Sequence, residues 1–197
     1  MTPSALRSPL TRHPLGALRV ASAFGVLLLV CGWGLAAQGW NEDTVANARD
    51  RLSEPRLDLP RVATEVYRAI WVPTFSRPTS VRLERRGDGW TLVTSRLTGS
   101  GGYDMGALKS QKRRRVSEKD VAGLRQLIAE MGLFQAPRLE KEEDLCLDGT
   151  IYAYDIVAEG TYHSWIRYCP KLPPFDRYLE FGRALLKLAK LKEDEVE

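Results

Sequence analysis

Histidine is nearly missing from this 197-residue chain, with only His13 and His163 present, and cysteine and methionine number three each. A zinc centre wants four clustered sulfur and nitrogen ligands, which two separated cysteines and one histidine beyond the N-terminal segment do not supply. No G-x-S-x-G turn is present, and the glycines at 99–106 are not followed by Lys-Ser/Thr at phosphate-loop spacing. The acidic cluster Glu140, Glu142, Glu143 and Asp144 lacks the alternating ligands and glycine of a calcium loop. There is no internal repeat and no long low-complexity stretch. The chain therefore offers no complete catalytic set, no metal site and no cofactor motif.

A domain-wide basic field is missing as well. The net charge is +4 and the pI about 9.0, yet Arg7, Arg12 and Arg19 stand before residue 40 with no acidic residue among them. Residues 41–197 are therefore close to neutral, so little general field attracts a polyanion, and nucleic acid is not an expected partner. Charged residues at 27% and hydrophobic residues at 44% are ordinary for a globular protein.

What is present begins with an uncharged run, Val20–Ala37, long enough to span about 27 Å as a helix. Arginines precede it and Asn41-Glu42-Asp43 come after it, which places the N-terminus in the cytosol and the rest outside. Two versions stay open: an uncleaved anchor, favoured by the long leading stretch, and a cleaved signal peptide with an imperfect small-residue exit near Gly34–Gly39. The expected location is the inner membrane with a single pass and a periplasmic domain, or the periplasm or exterior after cleavage. The expected organisation is 1–40 as basic stretch and apolar segment, 41–60 as linker with a short helix over Thr44–Leu52, and 61–197 as one domain.

Cysteine use agrees with export. Cys31 lies in the apolar run, which leaves Cys146 and Cys169 for the domain. Glu159-Gly160 reads as a two-residue hairpin turn, pairing Ala158 with Thr161 and Thr150 with Cys169. Cys146 then stands four residues upstream of the cross-strand partner of Cys169, within reach of a disulfide.

The remaining pattern predicts strands at Val66–Val72, Ser80–Arg85 and Trp90–Leu97, with Gly87-Asp88-Gly89 as a tight turn and Gly99–Gly102 as a flexible break. Ser117–Met131 predicts a helix with Ser117 and Asp120 as a capping box and Gly132 as its stop. Pro173-Pro174 opens a last helix with Phe175, Tyr178, Leu179, Gly182, Leu185, Leu186 and Ala189 on one face; the end, from Lys192 on, is expected to fray. Strands, helix, hairpin and helix in that order imply an α+β fold. A mainly antiparallel sheet carries two amphipathic helices on one face, preceded by the N-terminal hydrophobic helix.

Candidate binding residues fall in two groups. Lys109, Lys112, Arg113, Arg114 and Arg115 form a dense basic run that suits an anionic surface or an acidic protein, or else the solvated face of a strand or loop. Tyr152, Tyr154, Trp165 and Arg167 share one hairpin face with Ile156 and His163, opposite Ile151, Ala153, Val157 and Ile166. The aliphatic face is the expected core, which leaves the aromatic–arginine face as a recognition surface unless helices cover it too. Any imidazole mechanism must use His163, but Asp155 and Ser164 point to the opposite face, so no simple Ser-His-Asp set forms.

The stretch from Val81 to Arg167 resembles a group of small exported bacterial proteins without known function. The residues that carry this are SVRLERRGDGW at 80–90, GGYDMG at 101–106, Asp148-Gly149, and Gly160-Thr161-Tyr162-His163 with Arg167. The resemblance implies a shared small α+β fold and export, and it implies no activity. The function expected from these features is a non-enzymatic envelope domain that binds a protein partner, as an inhibitor, immunity protein or assembly accessory. The alternatives are a small hydrolase or ligand-binding protein using His163 with Asp148 and Arg167, and a structural inner-membrane tether.

Overall fold

Among the described residues the main elements run helix, four strands, helix, two strands and helix. The structure, a computed structural model, describes residues 41–57, 65–135, 148–169 and 176–196. Helix α1 covers 41–51. Strands β1 (Val66–Pro73), β2 (Thr79–Arg86), β3 (Gly89–Leu97) and β4 (Leu108–Val116) precede α2 (Glu118–Glu130), and β5 (Thr150–Ala158) and β6 (Thr161–Tyr168) precede α3 (Asp176–Ala189). The expectations for Val20–Ala37, Cys31, Cys146, the acidic cluster at 140–144 and Phe175 fall outside the described residues. Among the described residues no helix is long and apolar enough to cross a membrane.

All six strands join one antiparallel sheet in the order β4-β3-β2-β1-β5-β6. The first four make a meander from the centre to one edge, and the hairpin β5–β6 then adds on the other side of β1. Every residue of β1 is buried. A strand covered on both faces reads as a continuous run rather than an alternation, which is why VYRAIWV looks as much like a helix as a strand in sequence.

One face carries α2 and α3. Tyr67, Ala69 and Trp71 of β1, Leu83 of β2, Trp90 and Leu92 of β3 and Tyr154 and Ile156 of β5 meet Val121, Leu124 and Ile128 of α2 and Tyr178, Phe181, Leu185 and Leu186 of α3. Helix α2 starts where the capping pattern places it: the Ser117 hydroxyl accepts from the Asp120 backbone N–H at 3.2 Å. It stops at Gly132, whose φ of +62° suits a glycine. Helix α3 comes so near the sheet at Gly182 that a Cβ there would lie 3.0 Å from Tyr154 Oη.

A polar clamp ties α2 to the sheet. The Arg125 guanidinium donates to both Glu65 oxygens at 2.6 and 2.7 Å, donates to Glu118 at 2.8 Å, and lies 5.2 Å over the Trp90 ring. Burial pushes the Glu65 carboxyl up, but hydrogen bonds from Arg125 and Tyr67 together with the Arg125 charge outweigh it and hold it below the usual carboxylate range.

The opposite face carries α1, which includes most of the short helix expected over Thr44–Leu52 and packs on the sheet. Val45, Ala48 and Leu52 are fully buried against Ile70, Val72, Leu97, Met105, Ile151 and Ala153. Their spacing puts them on one side of a helix, so a second apolar sheet face has its own cover. The C-terminal end is also more tightly held than expected. Val196 is fully buried, Glu193 pairs with Arg183 at 3.1 Å, and Glu195 lies 3.4 Å from Arg96.

Candidate functional site

The hairpin register is the one the turn predicts: Ala158 faces Thr161, Ile151 faces Tyr168, and the Cys169 N–H donates to Thr150 O at 3.1 Å. The aliphatic face is core as expected, and of the two readings of the aromatic face it is the helix-covered one that holds. Tyr152, Tyr154, Trp165 and Arg167 are 7%, 1%, 1% and 1% exposed, so they form no recognition surface. Helix α3 brings its own aromatics to them. Tyr178 stacks on Tyr154 with centroids 6.3 Å apart, Phe181 meets Tyr154 edge-on at 5.6 Å, and Arg167 lies 4.4 Å over Tyr178 while donating to its hydroxyl at 2.8 Å. The aliphatic face is core as well, beneath α1.

His163 is half-buried on this aromatic face, stacked with Trp165 and edge-on to Phe134 at 5.0 Å. Asp148 stands just before β5, eight residues along the strand from Ile156, the cross-strand partner of His163. That is about 26 Å, so Asp148 and His163 cannot act on one substrate atom. Asp155 pairs with Ser164 and faces the other side. Among the described residues no group of three or more His, Cys, Asp or Glu could hold a metal ion.

Asp155 instead belongs to a buried ion cluster that the sequence pattern did not reveal. Arg68 of β1 lies directly between Arg82 of β2 and Asp155 of β5 in the sheet register. Two arginines side by side repel. Glu54, just after α1, is inserted against both: it accepts from Arg82 Nε at 2.7 Å and from the Ser80 hydroxyl at 2.8 Å, and lies 3.8 Å from Arg68. Asp155 takes the other side of Arg68 at 2.7–2.8 Å and accepts from the Tyr162 hydroxyl at 2.6 Å. Glu84 pairs with Arg82 and with Arg86. Burial first, and the Asp155 charge second, push the Tyr162 hydroxyl up to about 12. Three carboxylates (Glu54, Glu84, Asp155) face three guanidiniums (Arg68, Arg82, Arg86), and Arg68 Nη1 also donates to Pro55 O at 2.6 Å. That is the geometry of a structural cluster joining α1 to the sheet.

The basic run lies on β4, an edge strand of the sheet. Lys109, Lys112, Arg113, Arg114 and Arg115 are all exposed, and none makes an ion pair with a described acidic residue. Arg113 and Arg115 stand opposite Val93 and Thr91, while Lys112 and Arg114 stand opposite Thr94 and Leu92, so both faces of the strand carry cations. Arg114 also borders a cleft of about 620 Å³ between α2 and α3, where Lys119, Lys187 and Lys190 extend the positive surface and Asp120 is the single acid. Of the candidate binding residues, this group alone is available to a partner together.

No protein-family model matches the chain, and no curated protein matches it.

Proposed function

We propose that this chain is an exported or membrane-anchored envelope protein, held by residues 20–37, whose folded part is a non-enzymatic binding domain for an acidic protein partner. One observation carries the reading: an edge strand, with no neighbouring strand on its outer side among the described residues, that presents five exposed cations. Native sheets place a lysine or two on an edge to block aggregation. Five cations on both faces of one strand exceed that need and create a template for an extended acidic segment, which would add backbone hydrogen bonds to charge pairing.

The test uses the full chain in detergent and a synthetic extended peptide rich in glutamate. Binding should protect the β4 amides from hydrogen exchange. It should weaken by about a hundredfold in the triple variant Lys112→Glu, Arg113→Glu, Arg114→Glu, since each opposed charge pair costs on the order of 1 kcal/mol. Peptide binding that ignores this triple change, or turnover of a wall or lipid substrate by the pure protein, refutes the reading.

We further propose a disulfide between Cys146 and Cys169, supported by the position of Cys169 at the end of β6, in register with Thr150. Reduction should lower stability by about 2–4 kcal/mol. Mass spectrometry of the unreduced periplasmic protein should find the two peptides joined, and two free thiols there would remove the proposal.

A further inference from the structure

The β1–β2 and β3–β4 loops meet at one end of the sheet and present two exposed aromatic rings. Phe75 is 64% and Tyr103 73% exposed, with centroids 6.1 Å apart. They line an open cleft of about 560 Å³ together with Arg77, Arg96, Asp104 and Glu195.

The aromatic pair is built on a rigid base. The glycines at 99–106 look permissive in sequence, but the loop is zipped to its neighbour. The Gly101 N–H donates to Pro73 O at 2.9 Å and the Gly102 N–H to Thr74 O at 3.0 Å. A Cβ on Gly99 would lie 1.9 Å from Asp104 O, and one on Gly101 2.6 Å from Pro73 O. Glycine is required here by close backbone contact, and the backbone that carries the two rings is thereby held in place before any ligand arrives, which lowers the entropy cost of binding.

The polar groups define the ligand. Two guanidiniums and two carboxylates leave the cleft without net charge, which favours neither a lipid headgroup nor the acidic segment proposed for β4. Arg77 is loosely engaged, its Nε reaching Thr98 O at 3.4 Å, while Arg96 reaches Thr79 Oγ1 at 3.3 Å, Glu195 O at 3.2 Å and the Glu195 carboxylate at 3.4 Å. The Asp104 side chain is 87% exposed. Donors and acceptors side by side suit hydroxyls, which are both at once, and flat aromatic faces suit the C–H faces of pyranose rings. A wholly apolar ligand would want an enclosed cavity instead. Phe75 also borders a second cleft of about 470 Å³ that reaches Asp148 and Arg183, so a chain-like ligand can continue past the ring.

We propose that this aromatic cleft binds a neutral oligosaccharide. The experiment titrates a short soluble chitin oligosaccharide, and separately a cellulose oligosaccharide, into the full chain held in a detergent without a sugar headgroup. At least one should bind with little dependence on salt. Phe75→Ala and Tyr103→Ala should each weaken binding by about tenfold, as loss of a stacked ring does. Both side chains are exposed, so the variants should keep the parent melting temperature. The Lys112→Glu, Arg113→Glu, Arg114→Glu chain should bind sugar as the parent does, which separates this site from the β4 reading. Failure of both sugars to bind, or sugar binding that survives the double aromatic variant, overturns the proposal. So does loss of acidic-peptide binding in the aromatic variants without any sugar binding, which would make the pair part of a protein interface.

Discussion

Trp165→Ala is expected to lower stability by about 3–5 kcal/mol, the usual cost of emptying a buried aromatic position. Trp165 is 1% exposed, lies 6.1 Å from the Tyr178 ring of α3 and stacks on His163 at 6.0 Å. Its removal opens a void where α3 sits on β6, beside the Tyr178 ring. Arg113→Ser on the exposed edge strand should change stability by less than about 0.5 kcal/mol. Urea unfolding of the two variants under identical conditions makes the comparison. A near-neutral Trp165→Ala would mean that α3 does not cover the hairpin, and the aromatic face would again be open to a partner.

Strands β1, β2, β3, β5 and β6, the turn at Glu159-Gly160, the hairpin register and both ends of α2 are legible in the sequence, because turn chemistry, capping and period-two patterning are local; β4, with no apolar alternation over 109–115, is not. Which side of the hairpin is core is not. Ile151, Ala153 and Ile166 look like the better core and Tyr152, Tyr154 and Trp165 like a surface, yet both sides are covered. The available signal lies in the partners. Phe181 and Tyr178 put aromatic bulk on α3, and Val45, Ala48 and Leu52 give the stretch before the sheet an apolar stripe of its own. Two amphipathic covers of different chemistry require two sheet faces of different chemistry.

The candidate site divides in the same way. Basic density at 109–115 needs no tertiary information, and it lies on the surface as its composition suggests. The Phe75–Tyr103 cleft depends on a meeting of two separate loops, and no periodicity reports such a meeting. The ion cluster is hidden by a different cause. Ser80, Arg82 and Glu84 alternate with Val81 and Leu83, which predicts a face open to solvent. Alternation identifies the polar side of a strand, but it cannot tell that Glu54, 28 residues from Arg82, will close over it.

Glu54→Ala is the second change expected to cost about 3–5 kcal/mol, because it leaves two neighbouring buried guanidiniums without the carboxylate between them. Arg68 and Arg82 are cross-strand partners, 0% and 2% exposed, and the Glu54 side chain is fully buried against both. A coupled cluster must do more than destabilise when it is broken. Arg68→Met and Asp155→Leu should each be severe alone, since each strands an opposite charge, and the double variant should recover part of the loss, since neither ion is then left unpaired. Alkaline pH supplies an independent reading. The Tyr162 hydroxyl is raised from 10.0 to about 12 by burial and then by Asp155. The unfolded chain therefore releases this proton first, and the stability Tyr162 contributes is intact below pH 10 and lost as the pH rises toward 12. Between those limits the parent should lose stability more steeply than Tyr162→Phe, measured by urea midpoints at each pH. If Glu54→Ala costs less than about 1 kcal/mol, or the double variant is as damaging as the sum of its parts, the cluster is not a coupled unit and the attachment of α1 rests on Val45, Ala48 and Leu52 alone.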